Sequence, residues 1–205
     1  CIVACAEIKK ADVYAMGYAS ATMKGIWNHM RAVDLLAAMP DVDPARIGCI
    51  GHSLGGHNSL FLAAFEPRIR VIVSSCGFTR FTWNDNEGRG KPGDLTDWTT
   101  ATYMPRIAER YGSRAVNMPF DMEHVLGIIA PRPLFVNAPT KDFMRIEGVR
   151  ECLALTQPLY ADAHATGDLF AEHPSCAHDF PPEVRRHAYQ FMDQVLSPPL
   201  DTGRP

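Results

Sequence analysis

The sequence has no long apolar run and no block of basic residues. No stretch approaches the roughly 18 consecutive apolar residues that a membrane-spanning helix requires, which argues against a membrane span. Lysine and arginine are scattered, and the net charge is −3 at pH 7. Neither nucleic acid nor an anionic membrane surface is therefore expected as the main partner, and a small, neutral or polar molecule is favoured.

Paired cysteines and a recognisable leader are also missing. None of the six cysteines stands in a C-x-x-C pair, so most are interpreted as small buried side chains, and neither a metal nor an organic cofactor is expected. The chain begins with Cys1 instead of Met, and residues 1–8 are too short and too uncharged for a signal peptide. We expect a piece of a longer protein, whose location could be cytoplasmic or exported.

Strand-like and helix-like segments alternate along most of the 205 residues. With 46% apolar residues, the chain can bury the core of one globular domain, which we place at residues 1–196, followed by a disordered tail at 197–205. The alternation predicts an α/β fold, a mostly parallel sheet with helices on both faces. The predicted strands are 1–8, 46–50, 70–75, 131–139 and 159–163, and the predicted helices are 22–39, 54–65, 121–130, 145–155 and 183–196.

Residues 77–120 interrupt this alternation. The segment is rich in glycine, shows little periodicity and contains Trp83 and Trp98. We predict a lid-like insertion over the sheet edge, with both tryptophans as candidate substrate-binding residues. The alternative is that the two indoles only anchor the insertion to a small core of its own.

Ser53 is the most informative residue, because it stands in the frame Gly51-His52-Ser53-Leu54-Gly55 between a predicted strand and a predicted helix. This is the pattern of a nucleophile elbow, in which a sharp turn exposes the serine hydroxyl. Gly51 and Gly55 are expected to supply room for the turn, and the Leu54 N–H is expected to bind an oxyanion. The alternative is a glycine-rich turn that cradles a phosphate, although neither G-x-G-x-x-G nor G-x-x-x-x-G-K-[ST] is present.

A serine nucleophile needs a base and an acid that orients the base. Asp142 and His178 follow predicted strands and stand in the chain order serine, acid, histidine. Asp142 could instead be a helix N-cap, and His173 shares the loop with His178. Asp162 and Asp168 are reserve acids.

Three segments together resemble the α/β-hydrolase superfamily, namely GHSLGGHNSLFLAAFEPRIRVIVSSCGF, APRPLFVNAP and AHDFPPEVRRHAYQFM. The resemblance is strongest to bacterial acetyl-xylan-esterase-like and dienelactone-hydrolase-like proteins, which are related to prolyl-oligopeptidase catalytic domains. It implies Ser53 as nucleophile, Asp142 as acid and His178 as base, although Ala177 stands where that family usually has glycine.

The resemblance also implies that the first strands of the fold precede this chain. The loop that supplies the second oxyanion donor in that family would then lie upstream of Cys1. The implied function is a serine hydrolase that cleaves carboxylic esters through an acyl-enzyme. The alternatives are a peptidase of the prolyl-oligopeptidase type and a truncated, non-catalytic scaffold.

Overall fold

The computed structural model describes residues 14–101 and 103–197. The predicted strand at residues 1–8 and the tail after residue 197 lie outside the described residues.

The described residues form one parallel sheet of four strands, in the spatial order β1-β2-β3-β4. The strands are β1 (Ile47–His52), β2 (Ile69–Ser75), β3 (Leu134–Asn137) and β4 (Leu169–Glu172). In register, Ser74 pairs with Gly51 on one side and with Val136 on the other. All four carboxyl ends therefore lie along one edge of the sheet, where parallel α/β folds carry their binding and catalytic residues.

Helices separate the strands and cover both faces of the sheet. They are α1 (Ala21–Ala37), α2 (Leu54–Phe65), α3 (Pro105–Tyr111), α4 (Met122–Ile129), α5 (Ile146–Asp162) and α6 (Pro182–Leu196). Ser20 caps α1, since its side chain accepts a hydrogen bond from the Met23 N–H. Asp121 caps α4 through a capping box with His124.

The core has two parts, one on each face of the sheet. The larger part packs α1, α2, α4 and α5 against the sheet, and the smaller part packs Val184 and Ala188 of α6 against Val73 and Phe135. The strand β2 is buried at every position but one. This is the burial expected for a central strand of a parallel sheet that is covered on both faces.

The predicted strand at residues 159–163 is wrong, because these residues belong to the end of α5, which runs to Asp162. Cys152, Thr156 and Tyr160 are all buried and repeat at helical spacing. Pro158 does not end the helix, and its side chain is exposed. The last strand of the described residues is β4, at Leu169–Glu172, which lies outside every predicted strand.

The segment 77–120 is folded against the body of the domain. Phe78, Phe81, Leu95 and Ala115 are buried in the larger core. The Arg80 guanidinium binds carboxylates of α4 and α5, with Glu123 at 3.0 Å and Glu151 closer still.

Among the helices of the described residues, none is long and apolar enough to cross a membrane.

Candidate active site

Ser53 lies at the turn between β1 and α2 in a strained backbone conformation. Its φ is +57° and its ψ is −124°, a region that residues other than glycine rarely occupy. The Ser53 N–H donates to the Ser75 carbonyl at the end of β2, at 2.7 Å. This bond ties the strained residue to the sheet edge. Leu54 is the first residue of α2, so its N–H belongs to the unpaired donors of the helix N-terminus.

Gly51 and Gly56 provide the space for this turn. A Cβ atom at position 51 would lie 2.1 Å from the Gly55 carbonyl oxygen, and one at position 56 would lie 2.7 Å from the Ser75 carbonyl oxygen. A Cβ atom at position 55 would meet nothing within 4 Å. The expectation that Gly55 supplies room is therefore wrong, since the tight approach is made by its carbonyl and by its neighbour Gly56.

The structure brings Ser53, His178 and Asp142 into one hydrogen-bonded chain. His178 Nε2 lies 2.7 Å from Ser53 Oγ, and His178 Nδ1 lies 2.9 Å from Asp142 Oδ1. Asp142 lies on the loop after β3, and His178 lies on the loop after β4. Both loops leave the same edge of the sheet as Ser53, which explains why residues so far apart in sequence meet.

Asp142 is held as a carboxylate although its side chain is only 1% exposed. Burial alone would raise its pKa, but hydrogen bonds outweigh burial and the pKa lies below its ordinary value. The donors include the His178 ring and the Met144 N–H, which lies 3.0 Å from Oδ1. A carboxylate at this position accepts the N–H of the ring at Nδ1, which leaves Nε2 as the acceptor that faces Ser53.

The other candidate base and the reserve acids lie elsewhere. His173 Nδ1 contacts the Ala138 carbonyl at 3.0 Å, which ties its ring to the backbone after β3. Asp162 ends α5, and Asp168 lies in a short 3-10 helix before β4.

His52 lies beside the hydrogen-bonded chain of Ser53, His178 and Asp142. Its ring centroid is 5.0 Å from that of His178, and its Nδ1 lies 2.9 Å from Ser75 Oγ. Burial lowers the pKa of His52, and repulsion from His178 adds to this effect. Both effects favour the neutral form of the His52 ring.

Two residues that sequence reasoning did not single out, Ser75 and Asn137, hold the loops together beneath the site. Asn137 Nδ2 donates to Ser75 Oγ at 2.8 Å and to the Asp179 carbonyl at 2.9 Å. Asp179 follows His178 directly, so Asn137 fastens the histidine loop to the sheet. Both residues are the polar last residues of their strands, and this signal could have identified them.

The aromatic residues near the site have different contacts. Phe143 stacks on His178, with ring centroids 4.4 Å apart. Trp98 packs against His57 of α2 at 4.5 Å. Trp83 donates through Nε1 to Glu151 of α5 at 2.7 Å. Trp98 thus contacts the helix that Ser53 begins, whereas Trp83 fastens the segment 77–120 to α5.

Three side chains of the described residues bring potential metal-binding atoms within 4.8 Å of one another, namely Cys76, Asp142 and His178. Two of them share the hydrogen bond between Nδ1 and Oδ1. That bond accounts for the closeness of the histidine and the carboxylate without an ion.

Comparison with known proteins points to one family. Residues 11–163 match the family described as "Glucuronyl esterase, fungi". The chain is 26% identical over 136 residues to 4-O-methyl-glucuronoyl methylesterase 1 of Sodiomyces alcalophilus. This aligned region covers 61% of this chain and 27% of that protein. It is 24% identical over 204 residues to 4-O-methyl-glucuronoyl methylesterase of Phanerochaete carnosa, covering 90% of this chain and 49% of that protein.

Solved structures share the fold. The chain superposes on a glucuronoyl esterase from Solibacter usitatus with a TM-score of 0.71 and 22% identity, covering 87% of this chain and 50% of that one. The chain thus spans between about a quarter and a half of the length of these relatives.

Proposed function

Because the chain belongs to the glucuronyl esterase family, we propose that it is a serine hydrolase that cleaves carboxylic esters through an acyl-enzyme. The observation that carries this proposal is the pair of short contacts that His178 makes, 2.7 Å to Ser53 Oγ and 2.9 Å to Asp142 Oδ1. These distances lie within the range of a nucleophile, its base and an orienting acid.

The reaction starts with attack of Ser53 Oγ on the ester carbonyl carbon while its proton passes to His178 Nε2. Asp142 keeps the other ring nitrogen protonated and stabilises the imidazolium that forms. The Leu54 N–H donates to the carbonyl oxygen as this becomes negative. The bond to the alcohol then breaks, and His178 gives its proton to the departing oxygen. Water, deprotonated by His178, then attacks the acyl carbon, and the bond to Ser53 Oγ breaks. His178 returns the proton to Ser53 Oγ as the acid leaves.

The substrate class we propose is a carboxylic ester linked to a carbohydrate. This follows from the names of the relatives, which are glucuronoyl methylesterases. One related structure, from Sporotrichum thermophile, holds methyl 4-O-methyl-β-D-glucopyranuronate. We also propose that the segment 77–120 covers the site and influences the choice of substrate.

The test of the nucleophile is Ser53→Ala in the full-length protein. Hydrolysis of p-nitrophenyl acetate and of a methyl glucuronate ester should fall by about 10³-fold or more. A fluorophosphonate probe should label the wild-type protein at Ser53 and should not label the variant. Retained turnover in the variant would remove Ser53 from the mechanism, and a folded wild type that is neither labelled nor active would favour the scaffold.

The test of the base compares His178→Ala with His173→Ala. We expect the first variant to approach the residual rate of Ser53→Ala, and the second to stay near wild type because its ring is bound to the Ala138 carbonyl. The opposite ranking would move the base to His173. A parallel panel of peptide substrates separates the esterase from a prolyl-oligopeptidase-type peptidase.

A further inference from the structure

Cys76 lies directly behind the proposed triad and has no role in the reaction as written above. It follows β2, has a φ of +50° and is only 2% exposed. Its thiol donates to the Asp179 carbonyl at 3.3 Å. Burial raises the pKa of this thiol far above its ordinary value, so the sulfur keeps its proton and stays a hydrogen-bond donor.

Asp142 presents an unused acceptor near this thiol, since hydrogen bonding to Cys76 is among the causes that lower the pKa of the Asp142 carboxyl. Its Oδ1 receives His178 and the Met144 N–H, whereas Oδ2 is buried and has no hydrogen-bond partner among the described residues. The donor and acceptor atoms of Cys76, Asp142 and His178 lie within 4.8 Å of one another. A buried carboxylate oxygen without a donor is costly, so a nearby S–H group is significant.

The thiol proton can leave its present acceptor at little cost. The Asp179 carbonyl also accepts a hydrogen bond from Asn137 Nδ2 at 2.9 Å, so it stays paired when the S–H group turns away. The S–H group can therefore donate to either of two loops. The Asp179 carbonyl belongs to the loop of the proposed base, and Asp142 belongs to the loop of the proposed acid.

We propose that Cys76 is a positioning residue for Asp142. The Cys76 S–H group donates to Oδ2 of Asp142 while this carboxylate stabilises protonated His178. The proposal deepens the proposed ester hydrolysis and rests on it. The thiol does not touch the substrate in this role; it fixes the orientation of the carboxylate and favours its ionised form.

The other groups that face this pair are few. His178 is faced by Ser53, by the stacked ring of Phe143 and by His52. The charge of Asp179 acts on His52, whereas Cys76 contacts the backbone carbonyl of Asp179. The neutral groups that contact the Cys76 sulfur are the Asp179 carbonyl, Ser75 Oγ and Asn137 Nδ2. A substitution at position 76 removes no ionisable side chain except the thiol itself, so a shift in the pH profile reports on the thiol.

The test uses the variants Cys76→Ala and Cys76→Ser of the full-length protein, with kcat and KM measured from about pH 4 to about pH 9. Loss of a donor to a charged acceptor should lower kcat by about tenfold at nearly unchanged KM. It should also move the acid limb of kcat/KM to higher pH by about half a unit or more, because a carboxylate that loses a donor binds protons more tightly. The serine hydroxyl should restore both values in part or in full.

Cys152→Ala is the matched control. This thiol is also fully buried, and its Sγ lies 3.9 Å from a carboxylate oxygen of Glu123, in the ion-pair cluster of Arg80 away from the site. The control should lose stability without a shift of the acid limb. If Cys76→Ala behaves like the control, or if Cys76→Ser has the profile of Cys76→Ala, the thiol is structural and the proposal fails.

Two readouts separate this failure from failure of the proposed function. A wild type as slow as Ser53→Ala contradicts the esterase, whereas an active wild type with unchanged Cys76 variants contradicts only the positioning role. The pKa of the His178 ring, measured by NMR in the wild type and in the two Cys76 variants, gives the same comparison without turnover. An identical pKa in all three overturns the proposal, and Cys76→Val, which also lacks a donor, takes the place of Cys76→Ala if that variant folds poorly.

Discussion

At the scale of single residues, His57 is the side chain whose ionisation the fold suppresses most clearly. It lies on α2, is only 1% exposed, and packs between Phe61 and Trp98 with ring centroids 4.5 Å away on each side. Burial lowers the pKa of His57 to about 3 from the ordinary 6.5. Folding therefore requires the neutral ring.

This suppression predicts a loss of stability in acid. Below pH 6.5 His57 becomes protonated in the unfolded chain, whereas in the folded protein it stays neutral down to about pH 3. The cost is absent above this window and grows as the pH falls through it, with a slope of up to about 1.4 kcal/mol per pH unit. Urea unfolding of His57→Leu should show a flatter pH dependence than the wild type over this window.

The control for this measurement is His187→Leu, which replaces a half-exposed histidine on α6. It should retain the pH dependence that His57 causes in the wild type. An unchanged slope in His57→Leu would mean that other groups dominate the acid sensitivity.

At the scale of elements, the strand-turn-helix unit β1-α2 depends on glycine at some positions and not at others. Gly51 and Gly56 face backbone atoms that cannot move without breaking the turn, whereas the position of Gly55 opens on free space. The strain at Ser53 is held by this close packing and by the hydrogen bond to Ser75.

This difference predicts opposite results for two neighbouring alanine substitutions. Gly51→Ala should lower the free energy of unfolding by about 3 kcal/mol or more, or prevent folding, because its Cβ would overlap the Gly55 carbonyl. Gly55→Ala should stay within about 1 kcal/mol of wild type, since alanine is the better helix former. Urea unfolding together with fluorophosphonate labelling of Ser53 measures both effects. Equal destabilisation by the two variants would contradict the geometry of the turn.

At the scale of the whole molecule, the two tryptophans of the segment 77–120 lie where it contacts the body at different places. Arg80 and Trp83 contact α5 through Glu151, and Trp98 contacts α2 through His57. Only the second place adjoins the helix that Ser53 begins. The two tryptophans, which the sequence cannot tell apart, are therefore expected to have different roles.

We expect Trp98→Ala to change the ratio of kcat/KM between a methyl ester and a bulkier ester of the same acid by at least about fivefold. Trp83→Ala should lower stability, since Glu151 loses the donor of Nε1, and should leave the ratio near that of the wild type. The measurement is a substrate series on both variants at matched concentrations of folded protein. Proportional loss of all activities in Trp98→Ala would make this tryptophan purely structural.

The sequence alone determined the features that depend on neighbouring residues. The helix predicted at residues 54–65 is α2, Leu54–Phe65, because glycines, serine and an apolar run stand next to one another in the chain. Asp142 could be placed on a loop after a strand for the same reason, since an apolar run followed by polar residues predicts a strand end. The sequence places His178 after a strand at residues 159–163, but these residues end a helix, and the strand before His178 is β4.

Only the tertiary structure decided what depends on contacts between distant segments. The short strand β4 forms because Leu169–Glu172 pairs with β3, and four residues carry too little periodicity to predict it. The need for glycine at position 56 comes from the Ser75 carbonyl of the next strand. The approach of Cys76 to Asp142, and of Trp98 to His57, likewise joins side chains from separate elements. Such contacts are set by how the elements pack, which no local pattern encodes.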